Sequence, residues 1–125
     1  MKNALKLVLI LPLLASCVKK QEITDKEFAQ NEWKNDVKAC LGKRTVLIDS
    51  LLKIKDKLLG YNDLEVRKIL GKPDEIELAE RSKKYYYYYY TTGSQCEGDT
   101  SKMKGKMLQI RFNSTNQVNE LTLKK

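Results

Sequence analysis

The 125-residue chain contains no histidine. This absence excludes a serine–histidine–aspartate triad, a histidine general base and the usual zinc sites. A phosphate-binding loop is also missing, because no Gly-Lys-Ser or Gly-Lys-Thr sequence occurs. No other pairing of a nucleophile with a base is recognisable. The sequence therefore predicts a protein that is not an enzyme, with no catalytic residues, no cofactor and no metal site.

Long hydrophobic runs are absent as well. The apolar run near the N-terminus, residues 7–14, covers about eight residues, whereas a helix needs roughly 20 to cross a bilayer. Lys2 and Lys6 precede or flank this run, and the small residues Ala15 and Ser16 follow it. A positive segment, a short apolar segment and a small-residue cleavage site are typical of a secretory signal peptide, here residues 1–16.

Cys17 directly follows the predicted cleavage site, and residues 14–17 read Leu-Ala-Ser-Cys. This pattern resembles the lipobox of bacterial lipoproteins. The resemblance implies that Cys17 becomes the mature N-terminus and carries a diacylglycerol thioether, usually with a third acyl chain such as palmitate on its amine. We expect a lipid-anchored cell-envelope protein, at the outer membrane because Val18 is not the aspartate that retains many such proteins in the inner membrane. The alternative is an ordinary secretory signal that precedes Cys17 by chance.

The charge of the exported chain bears on its partners. Removing residues 1–16 takes away two lysines and no acid, which lowers the formal net charge from +8 to +6. Export separates this basic chain from nucleic acid, so we expect a membrane and an envelope protein as partners and no nucleic acid. The polar residues 17–23 predict a lipidated flexible tether, which leaves residues 24–125 as a single domain.

Two further cysteines, Cys40 and Cys96, would lie in an oxidising compartment. An intramolecular disulfide between them closes a long loop, for which the chain-entropy relation gives about 4 kcal/mol. For a small domain this is a large part of the total stability. Two buried thiols or an intermolecular bridge are the alternatives.

Helical periodicity fills the first half of the predicted domain. Thr24 with Glu27 three residues later predicts a capped helix start. Two apolar runs follow at helical spacing, and basic residues between them, including Arg44, predict a basic outer face. The apolar positions are Phe28, Trp33, Val37, Cys40 and Leu41 in the first run, and Val46, Leu47, Leu51, Leu52, Leu58 and Leu59 in the second.

A short third helix has clear start and stop signals. Asn62 with Glu65 predicts its cap, and Gly71 with Pro73 ends it. From Glu75 onward the apolar period changes to two, which predicts antiparallel strands beginning near Glu75, Tyr85, Met107 and Val118. The predicted fold is α+β, with N-terminal helices packed on one face of a sheet of three to four antiparallel strands.

The six consecutive tyrosines are the sharpest anomaly of the sequence. In a strand, Tyr85, Tyr87 and Tyr89 point one way and Tyr86, Tyr88 and Tyr90 the other. One set must pack on the helices, and the other is expected to expose three rings, flanked by Lys83, Lys84 and Arg111. Exposed tyrosines are common in recognition surfaces, so these tyrosines and Arg111 are a candidate binding surface. The pattern does not say which set faces outward. The acids Asp74, Glu75, Glu77 and Glu80 predict a solvated strand face.

One motif resembles a known family. Gly60, Asn62, Glu65, Val66, Leu70, Gly71 and Pro73, followed by the aromatic strand and a hairpin, resemble the SmpA/OmlA (BamE) family of small outer-membrane lipoproteins. The same stretch, about residues 58–123, is similar to the repeat of the β-lactamase inhibitory protein. The family resemblance implies a non-enzymatic scaffold in outer-membrane protein assembly. The alternative is a periplasmic or surface binding or inhibitor module that uses the tyrosine-rich face of the sheet.

Overall fold

The computed structural model describes residues 20–98 and 101–124, which form a layer of helices followed by a sheet. The α+β prediction is confirmed. None of the helices in these two ranges is long and apolar enough to cross a membrane. The elements are α1 (Gln30–Asn35), a 3-10 turn (Val37–Ala39), α2 (Lys43–Lys53), α3 (Lys55–Leu58), α4 (Asp63–Leu70), β1 (Glu75–Leu78), β2 (Lys84–Tyr89), α5 (Ser94–Glu97), β3 (Met107–Phe112) and β4 (Val118–Lys124).

The four strands form an antiparallel meander in the order β1-β2-β3-β4. A bulge opposite the Arg111–Phe112 step shifts the pairing, so that Phe112 lies opposite Val118 while Ile110 lies opposite Leu121. Residues directly opposite each other share a face of the sheet. The bulge therefore lets Val118 and Leu121, three residues apart, both point toward the helices.

The core lies between the helices and one face of the sheet. Its helical side includes Trp33, Leu51, Leu58, Val66 and Leu70, all fully buried. These side chains pack on an inner sheet face made by alternate strand residues, as a half-covered antiparallel sheet requires. The buried sheet residues of this cluster are Tyr86, Tyr88, Tyr90, Leu108, Ile110, Phe112 and Val118.

The predicted helix between Asn62 and Gly71 is confirmed as α4. The Asn62 Oδ1 atom accepts a hydrogen bond from the Glu65 amide at 2.9 Å, which is the predicted cap. Gly71 ends the helix with a φ of 79°, a left-handed value that favours glycine. Its carbonyl accepts a hydrogen bond from the Tyr88 hydroxyl at 2.8 Å, so the helix end is tied directly to the sheet.

The predicted helix start at Thr24 is wrong. The Glu27 carboxylate does reach back to the Thr24 amide at 3.1 Å, but the Thr24 carbonyl takes the Glu27 and Phe28 amides in an isolated turn. Regular helix begins only at Gln30 and ends at Asn35. Lys38 and Ala39 then adopt positive φ angles of 57° and 60°, which turns the backbone out of the helical path.

This early break changes which apolar residues are buried. Val37 and Leu41 are 61% and 67% exposed, although helical periodicity places them on the core side. In α2, Val46 is 78% exposed, whereas Ile48 is buried in the core. Each break changes the direction in which the following residues point. A single 3.6-residue period applied to the whole segment therefore assigns some residues to the wrong face of the helix.

The predicted boundary at residue 24 falls too late. Ile23 is buried in the core, and its carbonyl accepts a hydrogen bond from the Gln30 side chain at 2.9 Å. The Gln21 carbonyl accepts a hydrogen bond from the Tyr61 hydroxyl. Residues 20–23 are therefore part of the packed domain. The other residues of the predicted tether, 17–19, lie outside the described residues.

The predicted disulfide between Cys40 and Cys96 is present, with an Sγ–Sγ distance of 2.06 Å. It joins the turn after α1 to the short helix α5, which lies in the hairpin between β2 and β3. The bridge thus connects the helical layer to the sheet at one end of the domain.

Candidate functional site

The structure decides which tyrosines of β2 face the helices. Tyr86, Tyr88 and Tyr90 belong to the core cluster. Tyr85, Tyr87 and Tyr89 therefore lie on the opposite face, which we call the outer face. The register places Tyr87 between Glu75 and Gln109, and Tyr85 between Glu77 and Arg111. The outer face consists of Glu75, Glu77, Tyr85, Tyr87, Tyr89, Met107, Gln109, Arg111, Glu120, Thr122 and Lys124.

The prediction of three exposed rings on this face is wrong. Tyr87 and Tyr89 are only 6% and 2% exposed, and Tyr85 alone of the three is partly exposed. The Tyr87 ring lies against the Tyr85 ring, with centroids 6.4 Å apart. The Lys124 ammonium lies 5.2 Å from the centroid of the Tyr87 ring. A neighbouring ring on β2 and a charged side chain from β4 thus help to cover a ring that the alternation of side chains along the strand would otherwise leave exposed.

The phenol groups of the outer face are fixed by carboxylates of β1. The Tyr87 hydroxyl donates to Glu77 Oε2 at 2.6 Å, and the Tyr89 hydroxyl donates to Glu75 Oε1 at 2.7 Å. Glu77 and Glu80 are exposed, as predicted for a solvated strand face, but the carboxylates of Glu75 and Glu77 also have protein partners. Burial, followed by the bond to Glu77, raises the pKa of Tyr87 to about 12. Burial and Glu75 raise the pKa of Tyr89 in the same direction.

Arg111 lies beside the exposed part of this face, as the sequence predicts. It is directly opposite Tyr85 on the neighbouring strand. Its Nη1 atom is 3.8 Å from Glu120 Oε2, a loose ion pair. Its Nε atom is buried and has no acceptor within the described part of the chain. The side chain as a whole is 33% exposed, so the rest of the guanidinium, held only by the loose pair with Glu120, is the part of Arg111 that a partner could contact.

A buried ion pair between Arg44 and Asp74 was not predicted. Arg44 Nη1 lies 2.7 Å from Asp74 Oδ2, and both side chains are nearly inaccessible. Arg44 also donates to the carbonyls of Trp33 and Tyr89, at 3.0 and 3.1 Å. Arg44 therefore does not belong to the basic outer face of the helices, and Asp74 does not belong to a solvated strand face. The arginine is buried because its guanidinium lies over the Trp33 ring, 5.0 Å from the centroid.

A second carboxylate completes this buried cluster. Asp36 is fully buried, and it accepts hydrogen bonds from the amides of Leu41 at 2.6 Å and Arg44 at 2.9 Å. It thus supplies acceptors near the start of α2, where no adjacent side chain caps the helix. Asp36 lies eight residues before Arg44, outside the spacing of local capping motifs, and this distance hides its role in the sequence. Every charge in the cluster serves the backbone or its ion partner.

No group of three Cys, Asp or Glu side chains in residues 20–98 and 101–124 is arranged to hold a metal ion. Cys17, the predicted lipidation site, lies outside the described residues. Comparisons of the chain with protein families, with curated proteins and with solved structures found no match in any of the three. The resemblance to the SmpA/OmlA (BamE) family therefore rests on the motif from Gly60 to Pro73, on the strands and hairpin that follow it, and on the lipobox.

Proposed function

We propose that this chain is a lipid-anchored, non-enzymatic protein of the bacterial cell envelope. It acts as a scaffold between envelope proteins, in the assembly of outer-membrane proteins. The lipobox at Cys17 supports the anchor, and the Cys40–Cys96 disulfide is consistent with an oxidising compartment. The motif from Gly60 to Pro73, which forms α4 and its caps, supports the resemblance to small outer-membrane lipoproteins.

The state of the buried charges supports a role without catalysis. Arg44 and Asp74 line a hollow together with Lys38, so a catalytic role depends on whether their polar atoms are free to act on a ligand. Here Asp36 binds amides, Arg44 binds carbonyls and Asp74 binds Arg44 and the Tyr89 amide. These groups are fully engaged in holding the two layers together.

The observation that carries the scaffold proposal is the environment of Arg111. Its guanidinium is partly exposed and held only by a loose ion pair with Glu120, and Tyr85 beside it is the most accessible ring of the outer face. Arginine and tyrosine are enriched in the energetically important parts of protein interfaces. The fixed hydroxyls of Tyr87 and Tyr89 lower the entropy that binding would cost on this face. We therefore propose Tyr85 and Arg111 as the centre of the partner contact.

Affinity purification of the tagged protein in mild detergent, with mass spectrometry of the bound proteins, tests this function. We expect the barrel-assembly proteins in near-stoichiometric amount with the wild type and a strong loss with Arg111→Ala. The matched control is Arg81→Ala, which removes an exposed arginine from the β1–β2 turn and should leave the recovery unchanged. Equal recovery with both variants would contradict the proposed contact, and failure to recover assembly proteins with the wild type would contradict the assembly role.

The second candidate is a binding or inhibitor module, periplasmic or on the cell surface, that uses the same outer face. The carboxylates of Glu75 and Glu77 favour it, because the hydroxyls of Tyr89 and Tyr87 hold them in place near the partly exposed Tyr85 ring. Rigid polar–aromatic surfaces suit one specific ligand. Deletion of the gene separates the two candidates. Loss of a scaffold should cause several envelope defects together, whereas loss of an inhibitor should change the response to a single ligand.

A further inference from the structure

We propose that one defined face of the domain is held directly against the membrane. We call it the anchor face, and it consists of Lys20, Gln21, Asp56, Lys57, Leu59, Gly60 and Gln117, which line one shallow hollow. The proposed occupant is the headgroup layer of the bilayer that holds the acyl chains. This inference rests on the lipidation of Cys17 in the proposed function, and it shortens the predicted tether to the three residue steps between Cys17 and Lys20.

The chain leaving the domain toward Cys17 is docked at several points. Ile23 is buried in the core, and the Gln21 carbonyl accepts a hydrogen bond from the Tyr61 hydroxyl. Lys20 forms an ion pair with Glu65, at 2.5 Å between Nζ and Oε1. The direction of the chain at Lys20 is therefore set by the first turn of α4 and by the Tyr61 side chain.

The remaining link is shorter than the domain is wide. Three residue steps separate Cys17 from Lys20, and at full extension they span about 11 Å. A domain of roughly 100 residues has a radius of gyration of about 13 Å. A link of this length keeps the domain from turning freely above the bilayer, because rotation would drive its surface into the headgroups. The face nearest Lys20 must then be the face next to the membrane.

Chain length, rather than charge, sets this orientation. Lys20 is paired with Glu65 and Lys57 with Glu27, so the two cations of the anchor face are neutralised within the domain. Leu59 is 45% exposed beside them and presents an apolar side chain at the surface. Paired charges add little attraction to anionic lipids. We therefore expect the orientation to persist when the salt concentration is raised.

Depth-dependent fluorescence quenching tests the proposal. A single fluorophore is attached at Leu59→Cys in the lipidated protein, which is then placed in vesicles that carry nitroxide-labelled phospholipids. The matched control is Val46→Cys, another exposed aliphatic position on the helical layer. Val46 lies at the opposite end of the domain from Leu59. Thr45, next to Val46, donates to the Tyr90 carbonyl, near the start of β3. Gly60, next to Leu59, donates to the carbonyl of Val118, which lies opposite Phe112 at the end of β3.

We expect quenching several-fold stronger at Leu59 than at Val46, with little change at high salt. An insert of about ten glycine and serine residues between Lys19 and Lys20 should remove the difference, because a flexible link of that length lets the domain rotate. Equal quenching at both positions in the acylated protein would overturn the proposal. A difference that survives the insert would also overturn it, because the face would then bind lipid through its own affinity.

The intact mass of the mature protein separates failure of this inference from failure of the proposed function. Equal quenching at the two positions in an acylated chain would contradict the anchor face but would leave the scaffold proposal intact. A mature chain without acyl groups overturns both the anchor and the anchor face. Recovery of assembly proteins with a correctly acylated chain is a separate result, which the quenching data do not affect.

Discussion

The two faces of β2 carry the same residue type in different surroundings. On the inner face, Tyr88 is fully buried, donates its hydroxyl to the Gly71 carbonyl, and packs near the Trp33 ring. On the outer face, Tyr87 and Tyr89 are also largely inaccessible, but their hydroxyls donate to the carboxylates of Glu77 and Glu75. Main-chain and aromatic partners enclose one face, and charged side chains cover the other.

This difference shows that burial of a ring and its contribution to stability are separate properties. The inner rings fill space between two layers, so removing one leaves a cavity that neighbouring atoms cannot close. The outer rings are covered by flexible charged side chains, which can rearrange over a smaller residue. Inner and outer tyrosines that are equally buried should therefore differ in how much their replacement lowers the free energy of unfolding. The following experiments test that difference.

The largest difference is expected between alanine substitutions on the two faces. Tyr88→Ala should lower the free energy of unfolding by about 3–5 kcal/mol, because a cavity forms in the core and a hydrogen bond to Gly71 is lost. Tyr87→Ala, at a ring on the outer face that is also buried, should cost less, about 1–2 kcal/mol, because Glu77 and Lys124 can rearrange over the smaller residue. Urea unfolding measures both values. Similar costs for the two variants would contradict the proposed division between the faces.

A smaller effect on stability is expected from the ion pair between Asp63 and Lys84, the first residue of β2. The Lys84 ammonium lies 2.7 Å from Asp63 Oδ2. The hydrogen bond from Lys84, followed by the one from Asn116, lowers the pKa of Asp63 to about 2. A lowered carboxyl pKa stabilises the fold above pH 4, and this contribution disappears as the pH falls toward 2. Asp63→Asn should cost about 1 kcal/mol at pH 7, allowing for solvent screening.

The pH dependence distinguishes this effect from a packing defect. At pH 2 the Asp63→Asn variant and the wild type should have nearly equal stability in urea. Glu80→Gln, which removes an exposed carboxylate from the β1–β2 turn, serves as the control and should change little at either pH. A cost for Asp63→Asn that is the same at both pH values would contradict the electrostatic explanation.

The β1–β2 turn fixes the register that assigns the tyrosines to their faces. Arg81 and Ser82, its two central residues, both have a φ of 60°, which is unfavourable for side chains other than glycine or asparagine. Replacing the pair by Asn-Gly should raise the free energy of unfolding by about 0.5–1 kcal/mol. Thermal unfolding measures the gain. Lys83 has no positive φ, so the control substitution Lys83→Gly should lower the free energy of unfolding instead.

The smallest effect on stability is expected at the outer hydroxyls. Glu77→Gln should lower the pKa of Tyr87 from about 12, but not to the ordinary value of 10, because burial is the larger cause of the shift. A raised tyrosine pKa stabilises the fold below pH 10, and the contribution is lost as the pH rises toward 12. Alkaline titration by ultraviolet absorbance, with Tyr87→Phe to identify the signal, gives the value. Glu120→Gln should leave it unchanged.

Local signals predicted much of this fold correctly. The cap at Asn62, the stop at Gly71 and the alternation in β3 depend on neighbouring residues, and each is present in the structure. The disulfide between Cys40 and Cys96 was predictable because the expected lipidation of Cys17 leaves no third cysteine to compete for either partner. The sequence could also divide the tyrosines into two sets, although it could not say which set faces the helices.

Two of the failures involve partners far apart in the sequence, and a third involves a backbone conformation that is unusual for its residue type. Arg44 reads as a surface residue, since only the distant Asp74 and Trp33 make its burial favourable. The covered state of Tyr87 depends on Glu77 and on Lys124, at the other edge of the sheet. The exposure of Val37 follows from the backbone turn at Lys38, a conformation that this residue type rarely adopts. None of these signals is contained in a local pattern.

The order of the strands has a consequence for how the chain reaches its final structure. Each strand of the meander pairs with the strand that precedes it, so the sheet is built from contacts between close neighbours in sequence. The junction between the helices and β4 is different, because Gly60 and Tyr61 exchange main-chain hydrogen bonds with the distant Val118. Contacts between neighbouring segments form quickly and distant ones slowly. We expect the hairpins to assemble first, and the joining of Tyr61 to Val118 to be the late step that completes folding.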